Sequence, residues 1–279
     1  MTGITGTKRI AAAFERARAE NRAALIPYLT LGYPTPETSL HLAEAAVAGG
    51  ANLLELGVPF TDPLADGPVI QRATHVALQQ GMTVARCLEM ARRLRQHEPS
   101  VPFIFMGYYN PILTYGEEAF CRACCEASVD GLIVPDLPPE EGKKLEAACQ
   151  DHSLALIYLL APTSTPERIQ LVTEHSQGFV YLVSVTGITG PRDRLPSDLA
   201  AFVKRVRTST DKPLAVGFGI STPEQAGQVA ALADGVIVGS ALVRLAEEEH
   251  APEKIQSFVA ELRDAADHQF TKESREVRR

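Results

Sequence analysis

Residues 53–71 read LLELGVPFTDPLADGPVIQ, and this stretch tells most about both the scaffold and its chemistry. It begins as a short apolar run of the kind that forms a buried strand. Glu55 lies inside that run, where a carboxylate is rarely buried without a partner or a function. The turn-rich segment that follows carries Asp62 and Asp66. One acid on a rigid strand and two on the next loop are typical of an acid–base site on an α/β scaffold.

Similar apolar runs recur along the whole chain, with amphipathic helical stretches between them. The runs are continuous rather than alternating, which is typical of parallel strands buried on both faces. The eight predicted strands are Leu25–Leu31, Leu53–Val58, Pro102–Tyr108, Gly131–Pro135, Leu154–Leu160, Phe179–Val185, Leu214–Phe218 and Gly235–Gly239. Eight βα units in about 250 residues match the size of a (β/α)8 barrel.

The order and spacing of the predicted strands favour a barrel over an open sheet. The widest spacing follows the second strand, so the loop that carries DPLADG is an insertion there. Residues 51–55 (ANLLE), 129–133 (VDGLI) and 233–237 (ADGVI) repeat one pattern, as expected of repeated βα units. A doubly wound sheet is the alternative, and it often has a G-x-G-x-x-G fingerprint after its first strand. The first strand here ends in LTLGYPTP, which lacks that fingerprint.

The sequence therefore predicts one α/β domain, a (β/α)8 TIM barrel, over residues 1–279. The barrel is expected over about residues 22–268, followed by a flexible charged tail at residues 269–279. Lys8–Arg22 is predicted to form an extra helix before the first strand, covering the bottom of the barrel. In such barrels the chemistry lies where strands end and βα loops begin.

Composition excludes several classes of partner. The net charge of −7 does not indicate a nucleic-acid partner. Five cysteines, three of them within residues 121–125, argue against a secreted disulfide framework and indicate a reducing cytosol. The first ten residues lack the apolar core of a signal peptide, and no run of about 18 apolar residues predicts a membrane span. We therefore expect a cytoplasmic protein without membrane contact.

The ends of the last two predicted strands suggest a phosphate site. Gly219 follows the seventh strand, and Gly239 and Ser240 follow the eighth. Glycine lets a backbone approach an anion closely, and these two loops are the usual phosphate position in this fold. A plain turn is the alternative for each glycine. After the sixth strand, residues 185–191 form a polar loop that could fold over a ligand or could simply be flexible.

Other side chains at the predicted strand ends bear on the kind of ligand. Tyr28, Met106 and Tyr108 suit a flat apolar ligand, although each alone is more often a packing residue. Asp136 is interpreted as a loop or cap residue that supports the site. Lys212 precedes the seventh strand, at the opposite face, so a Schiff-base aldolase is disfavoured. No cluster of histidine, cysteine and carboxylate has metal-ligand spacing, so no metal is expected.

The acids have structural alternatives as well. Glu55 could form a buried ion pair with a nearby lysine or arginine. Asp62 and Asp66 precede proline or glycine, which is ordinary turn chemistry. Three acids at one strand end favour a functional reading.

Six motifs, in this order and at this spacing, resemble one known family. They are LELGVPFTDPLADGPVIQ at 54–71, MGYYNPI at 106–112, GLIVPDL at 131–137, YLVSVTGITG at 181–190, GFGIS at 217–221 and VGSALV at 238–243. The chain resembles the α-subunit family of tryptophan synthase from roughly Lys8 to Arg263. The resemblance implies a (β/α)8 barrel that cleaves indole-3-glycerol phosphate into indole and glyceraldehyde 3-phosphate by a retro-aldol reaction.

The resemblance also implies roles for individual residues. Glu55 is implied as the acid–base group at indole C3 and at the side-chain hydroxyl, with a pKa raised by burial to near neutrality. Asp66 is implied to stay ionised and to polarise the indole N–H. Tyr181 is implied as an active-site tyrosine. The other implied binding residues are Tyr28, Met106 and Tyr108 for the indole pocket, Gly190, Gly219, Gly239 and Ser240 for the phosphate with Phe218 beside it, and Thr189 for closure over Asp66.

The resemblance implies a partner but no cofactor in this chain. The family works with a pyridoxal-phosphate β subunit, which receives indole through a tunnel, in an αββα heterotetramer. The loops around Asp62 and Thr189 are expected to face that partner. The alternatives are a stand-alone indole-3-glycerol phosphate lyase with the same residues, another phosphate-binding barrel without these carboxylates, and a catalytically dead barrel. Intact Glu55 and Asp66 argue against the last of these.

Overall fold

The computed structural model describes residues 6–184, 198–217 and 219–277, with side chains as far as His268. These ranges contain nine strands and twelve helices. The strands are β1 Ala24–Thr30, β2 Leu54–Gly57, β3 Phe103–Met106, β4 Gly131–Ile133, β5 Ala155–Ile157, β6 Leu159–Leu160, β7 Val180–Val183, β8 Leu214–Gly217 and β9 Gly235–Val238. The helices are α1 Thr7–Ala19, α2 Pro36–Ala48, α3 Pro68–Gln79, α4 Val84–His97, α5 Tyr109–Tyr115, α6 Glu117–Glu126, α7 Lys143–Asp151, α8 Pro166–His175, α9 Leu199–Arg207, α10 Pro223–Ala230, α11 Ser240–Leu245 and α12 Ala251–Val277.

The strands form one parallel sheet that closes on itself. Their hydrogen-bonded order is β5-β4-β3-β2-β1-β9-β8-β7-β6. Because β5 and β6 are two halves of one apolar run separated by Tyr158, the two ends of this order meet and complete the barrel. The predicted (β/α)8 barrel is therefore confirmed, with its fifth strand divided in two. The sixth, seventh and eighth predicted strands are β7, β8 and β9.

The sequence also explains where several helices begin. Helices α2, α8 and α10 each start with the tripeptide Thr-Pro-Glu. The hydroxyls of Thr35, Thr165 and Thr222 accept the backbone N–H of the residue three positions later. Each following proline lies in the first turn, where its missing N–H and fixed φ suit a helix start. These starts fix where each helix packs behind the barrel wall.

The repeated pattern before three strands forms one kind of cap at the bottom of the barrel. In each copy a side-chain oxygen accepts a backbone N–H of the neighbouring strand and also contacts a helical arginine. The three sets are Asn52 with Leu25 N at 2.8 Å and Arg263, Asp130 with Phe103 N at 2.9 Å and Arg95, and Asp234 with Leu214 N at 3.0 Å and Arg207. The repeated residue therefore has a structural role: its side-chain oxygen joins an arginine on a helix to the first residues of a strand.

We expect replacement of Asp130 by alanine to destabilise the fold by about 3–5 kcal/mol, because it leaves a partly buried cation without its partner. Asp130 is fully buried. Its carboxylate forms ion pairs with Arg9 and Arg95 and accepts hydrogen bonds from two backbone N–H groups. Urea unfolding measures the loss. The control is Asp151→Ala, at an exposed carboxylate on α7, and equal unfolding midpoints for the two variants would contradict this structural role.

The two ends of the chain frame the barrel. Helix α1 corresponds to the helix predicted at Lys8–Arg22, and Arg9 links it to Asp130. Helix α12 extends into residues 269–277, which the sequence assigned to a charged tail. The flexibility of that tail and the domain bounds stay predictions. In the part of the chain that the structure describes, no helix is long and apolar enough to cross a membrane.

Candidate active site

A cavity lies where the barrel strands end. Eight of the residues singled out in the sequence line it: Tyr28, Glu55, Asp66, Met106, Tyr181, Gly219, Gly239 and Ser240. Tyr108 lies next to it and contacts Asp66. Asp62 lies apart from it, in a shallow surface depression beside Phe60. Thr189, Gly190 and Phe218 fall outside the described residues.

Glu55 is held on β2 at the base of this cavity. Its backbone lies between Tyr28 of β1 and Ile104 of β3, and the residue is only 1% exposed. Among the described residues, its Oε2 atom has no hydrogen-bond partner and no cation influences its pKa. Burial, and then the negative charge of Asp66, raise the pKa of Glu55 to about 8. Glu55 is therefore largely protonated at pH 7, and the structure gives no support to a buried ion pair.

Asp66 lies just before helix α3 and is also buried, at 5% exposure. The Tyr108 hydroxyl donates to its Oδ2 at 3.0 Å, and the N–H of Ala65 donates to the Tyr108 oxygen at 3.0 Å. Burial raises the pKa of Asp66 to about 6, and the bond from Tyr108 opposes that rise. Asp66 is therefore mostly ionised at pH 7. Its Oδ1 has no partner among the described residues, so it can accept an N–H from a ligand.

Asp136 supports this arrangement from the loop after β4. Its carboxylate accepts the backbone N–H of Tyr109 at 3.0 and 3.2 Å, and so caps the start of α5. Tyr108 is the residue immediately before that helix. The cap predicted from the sequence thus holds the tyrosine that donates to Asp66.

Two tyrosines enclose Glu55 because glycines leave room for them. A Cβ atom at Gly57 would lie 2.2 Å from the Tyr28 hydroxyl oxygen, and one at Gly217 would lie 2.3 Å from that of Tyr181. Real Cβ atoms do not approach so closely, so the small residues allow both rings to lie across neighbouring strands. Burial raises the pKa of Tyr28 and Tyr181 well above that of a free phenol. Both therefore stay neutral and present polar tips beside the carboxyl groups.

The opposite side of the cavity is formed by the ends of β8 and β9. Gly219 has a φ of +80°, a left-handed conformation that favours glycine. Gly239 and Ser240 follow β9 and begin helix α11. Because β8 and β9 are hydrogen-bonded neighbours, these backbone groups lie side by side at one edge of the cavity.

Sequence reasoning missed six residues that line the cavity: Val69, Ile70, Ile220, Ser221, Ile237 and Arg244. Val69 and Ile70 directly follow the carboxylate loop, and their position after Asp66 was a usable signal. Ile237 lies in a strand in which every residue is buried, so its sequence does not separate it from core residues.

The structure agrees with the argument against a Schiff base. The ammonium group of Lys212 donates to the carbonyls of Thr173, Glu174 and Ser176, around the end of α8. Over the described ranges, no group of three or more His, Cys, Asp or Glu residues is placed to hold a metal ion. Within the CRACC segment, Cys121 and Cys124 are buried and Cys125 is exposed.

Comparisons with known proteins identify the family. The family model described as tryptophan synthase alpha chain matches residues 14–273. The chain belongs to the tryptophan synthase alpha chain family. A tryptophan synthase alpha chain of Dehalococcoides mccartyi is 49% identical over 259 residues, which cover 93% of this chain and 99% of the relative.

Solved structures of the same family have this fold. A Mycobacterium tuberculosis tryptophan synthase structure matches with a TM-score of 0.87 at 40% identity, covering 95% of this chain and 99% of that one. A tryptophan synthase subunit alpha from Legionella pneumophila str. Paris matches with a TM-score of 0.86 at 39% identity, covering 93% and 98%. The resemblance found in the sequence is thereby confirmed.

Membership in the family settles the class of reaction. The alpha-chain family cleaves indole-3-glycerol phosphate in tryptophan biosynthesis, which is a carbon–carbon lyase reaction, and it needs no cofactor of its own. An alpha chain also implies a β-subunit partner. The comparisons do not favour the stand-alone lyase.

Proposed function

We propose that this chain is the α subunit that cleaves indole-3-glycerol phosphate, with Glu55 as its proton donor and acceptor and Asp66 as its anchor for the indole N–H. One observation carries the proposal: a buried carboxyl group that is protonated at neutral pH lies in the same cavity as an ionised one. Two carboxyl groups whose pKa values are pushed apart are a recurring basis for assigning acid and base roles.

The proton steps balance on these two groups. Protonated Glu55 gives its proton to indole C3, and the ring nitrogen takes up positive charge. Ionised Asp66 accepts the indole N–H and stabilises that charge. The Glu55 carboxylate then removes the proton of the hydroxyl on the adjacent side-chain carbon. A C=O bond forms, the bond from C3 to the side chain breaks, and its electron pair returns to the ring. Glu55 ends protonated, as it began.

The remaining cavity residues fit the two ends of this substrate. Met106 and the rings of Tyr28 and Tyr181 provide an apolar wall for a flat ring, and Tyr108 holds Asp66. The exposed backbone at Gly219, Gly239 and Ser240 is proposed to bind the phosphate. From the sequence alone, Gly190 and Phe218 are proposed to complete this phosphate site, and Thr189 to close over Asp66.

We further propose that the partner is a pyridoxal-phosphate β subunit in an αββα assembly in the cytosol. Among the residues whose burial is described, three large apolar side chains are unusually exposed: Leu64 at 82%, Leu113 at 53% and Tyr115 at 41%. Leu64 follows Asp62 in the loop after β2, and the other two lie on α5. Exposed apolar side chains on the loop that holds Asp66 and on the helix that follows Tyr108 support a partner that docks there.

Indole release from indole-3-glycerol phosphate tests this function, measured for the chain alone and with a tryptophan synthase β subunit added. We expect slow release alone and release at least about tenfold faster with the partner, the coupling expected of an allosteric pair. Fast release that the β subunit does not change would instead support the stand-alone lyase. No release under either condition would overturn the proposed reaction.

A further inference from the structure

The cavity contains a single basic side chain among the described residues, Arg244 of α11. Arg244 lies four residues after Ser240, which begins the same helix. Residues four apart lie on one face of a helix, and helical side chains slant toward its N-terminal end. Arg244 is exposed to solvent, and it lines the same cavity as Ser240 and Gly239 at the end of the barrel wall.

The charges in the cavity call for a cation there. Asp66 is mostly ionised at pH 7, and a phosphate monoester carries about −1.5 to −2 charges at that pH. The backbone N–H groups at Gly219, Gly239 and Ser240 offset part of this charge, but no other described side chain in the cavity is basic. Arg244 also has no ion-pair partner among the described residues, because none of their carboxylates lies within ion-pair distance of it. By contrast, the nearby Arg72 is paired with Glu247.

We propose that Arg244 is the charged ligand for the phosphate group of the substrate and makes the site selective for phosphorylated indole-glycerol. This inference rests on the proposed function and adds a binding residue to it. The phosphate is unchanged by the reaction, so Arg244 holds substrate, transition state and product equally. Such uniform binding changes KM and leaves kcat nearly constant.

The test compares Arg244→Gln and Arg244→Lys with the parent chain. For Arg244→Gln we expect about a tenfold rise in KM for indole-3-glycerol phosphate and in the Kd of glycerol 3-phosphate by calorimetry, with kcat within about twofold. Arg244→Lys retains the charge and is expected to recover most of the affinity. The parent should lose affinity with added salt more steeply than Arg244→Gln. Arg92→Gln, at a half-buried arginine on α4 that does not line the cavity, is the charge-matched control.

Two results would overturn the proposal. One is an unchanged Kd for glycerol 3-phosphate in Arg244→Gln. The other is a large loss of kcat in Arg244→Gln, which would point to a distorted site rather than a missing phosphate ligand. If the parent chain releases no indole, the proposed function fails, but the binding of glycerol 3-phosphate still reports on Arg244. The failures of the two proposals are therefore distinguishable.

Discussion

We expect Glu55→Gln to lower kcat for indole release by about 10³-fold or more, while the chain stays folded and still binds its ligands. General acid–base groups contribute about 10²- to 10⁴-fold, and Glu55 is proposed to act twice in one turnover. Because burial and Asp66 raise its pKa to about 8, Glu55 is largely neutral at pH 7. Glutamine is also neutral and of nearly the same shape, so the substitution removes the transferable proton without changing the charge in the cavity.

Three measurements separate proton transfer from damage to the site. The free energy of unfolding of Glu55→Gln should lie within about 1 kcal/mol of the parent value, and the Kd of glycerol 3-phosphate should be unchanged. Glu55→Asp keeps a carboxyl group but shortens its reach, so partial activity is expected. Glu126→Gln, at an exposed glutamate that ends α6, is the control. Turnover of Glu55→Gln near the parent rate would rule out the assigned role.

The barrel was predictable because its strands are buried on both faces. A continuous apolar run marks such a strand whichever face is considered, and all eight runs correspond to strands. The division of the fifth run was not predictable, since residues 154–160 are apolar throughout. There, the N–H of Tyr158 donates to the Ser176 hydroxyl at 3.0 Å instead of to a neighbouring strand. That bond depends on the helix layer packed behind the strand.

The candidate site was easiest to predict where a residue type conflicts with its surroundings. A glutamate in an apolar strand and glycines at two strand ends stand out in the sequence. Ile220 and Ile237 do not, because apolar residues next to strands are expected in any core. Arg244 resembles any exposed cation on a helix until its distance in space from the cavity is known. The raised pKa of Asp66 also follows from its burial, which the turn-like sequence of its loop does not show.

The catalytic efficiency kcat/KM should be bell-shaped in pH, with limbs near 6 and 8 and a maximum near 7. Below about pH 6 Asp66 gains a proton and can no longer stabilise the charge on the indole nitrogen. Above about pH 8 Glu55 has lost the proton that it gives to C3.

Asp66→Asn should lower kcat/KM by about 10²- to 10³-fold at pH 7, as removal of one electrostatic stabiliser does.

The pH profile of Asp66→Asn tests whether the two carboxyl groups are coupled. Its acid limb should disappear, and its basic limb should move to lower pH, because the charge of Asp66 is the second cause of the raised pKa of Glu55. A phosphate monoester also titrates near pH 6, so an acid limb that persists unchanged in the variant belongs to the substrate. Asp211→Asn, at an exposed carboxylate before β8, serves as the control, and its pH profile should match that of the parent chain. A basic limb that stays at pH 8 without Asp66 would show that burial alone sets the pKa of Glu55, and would contradict the coupling.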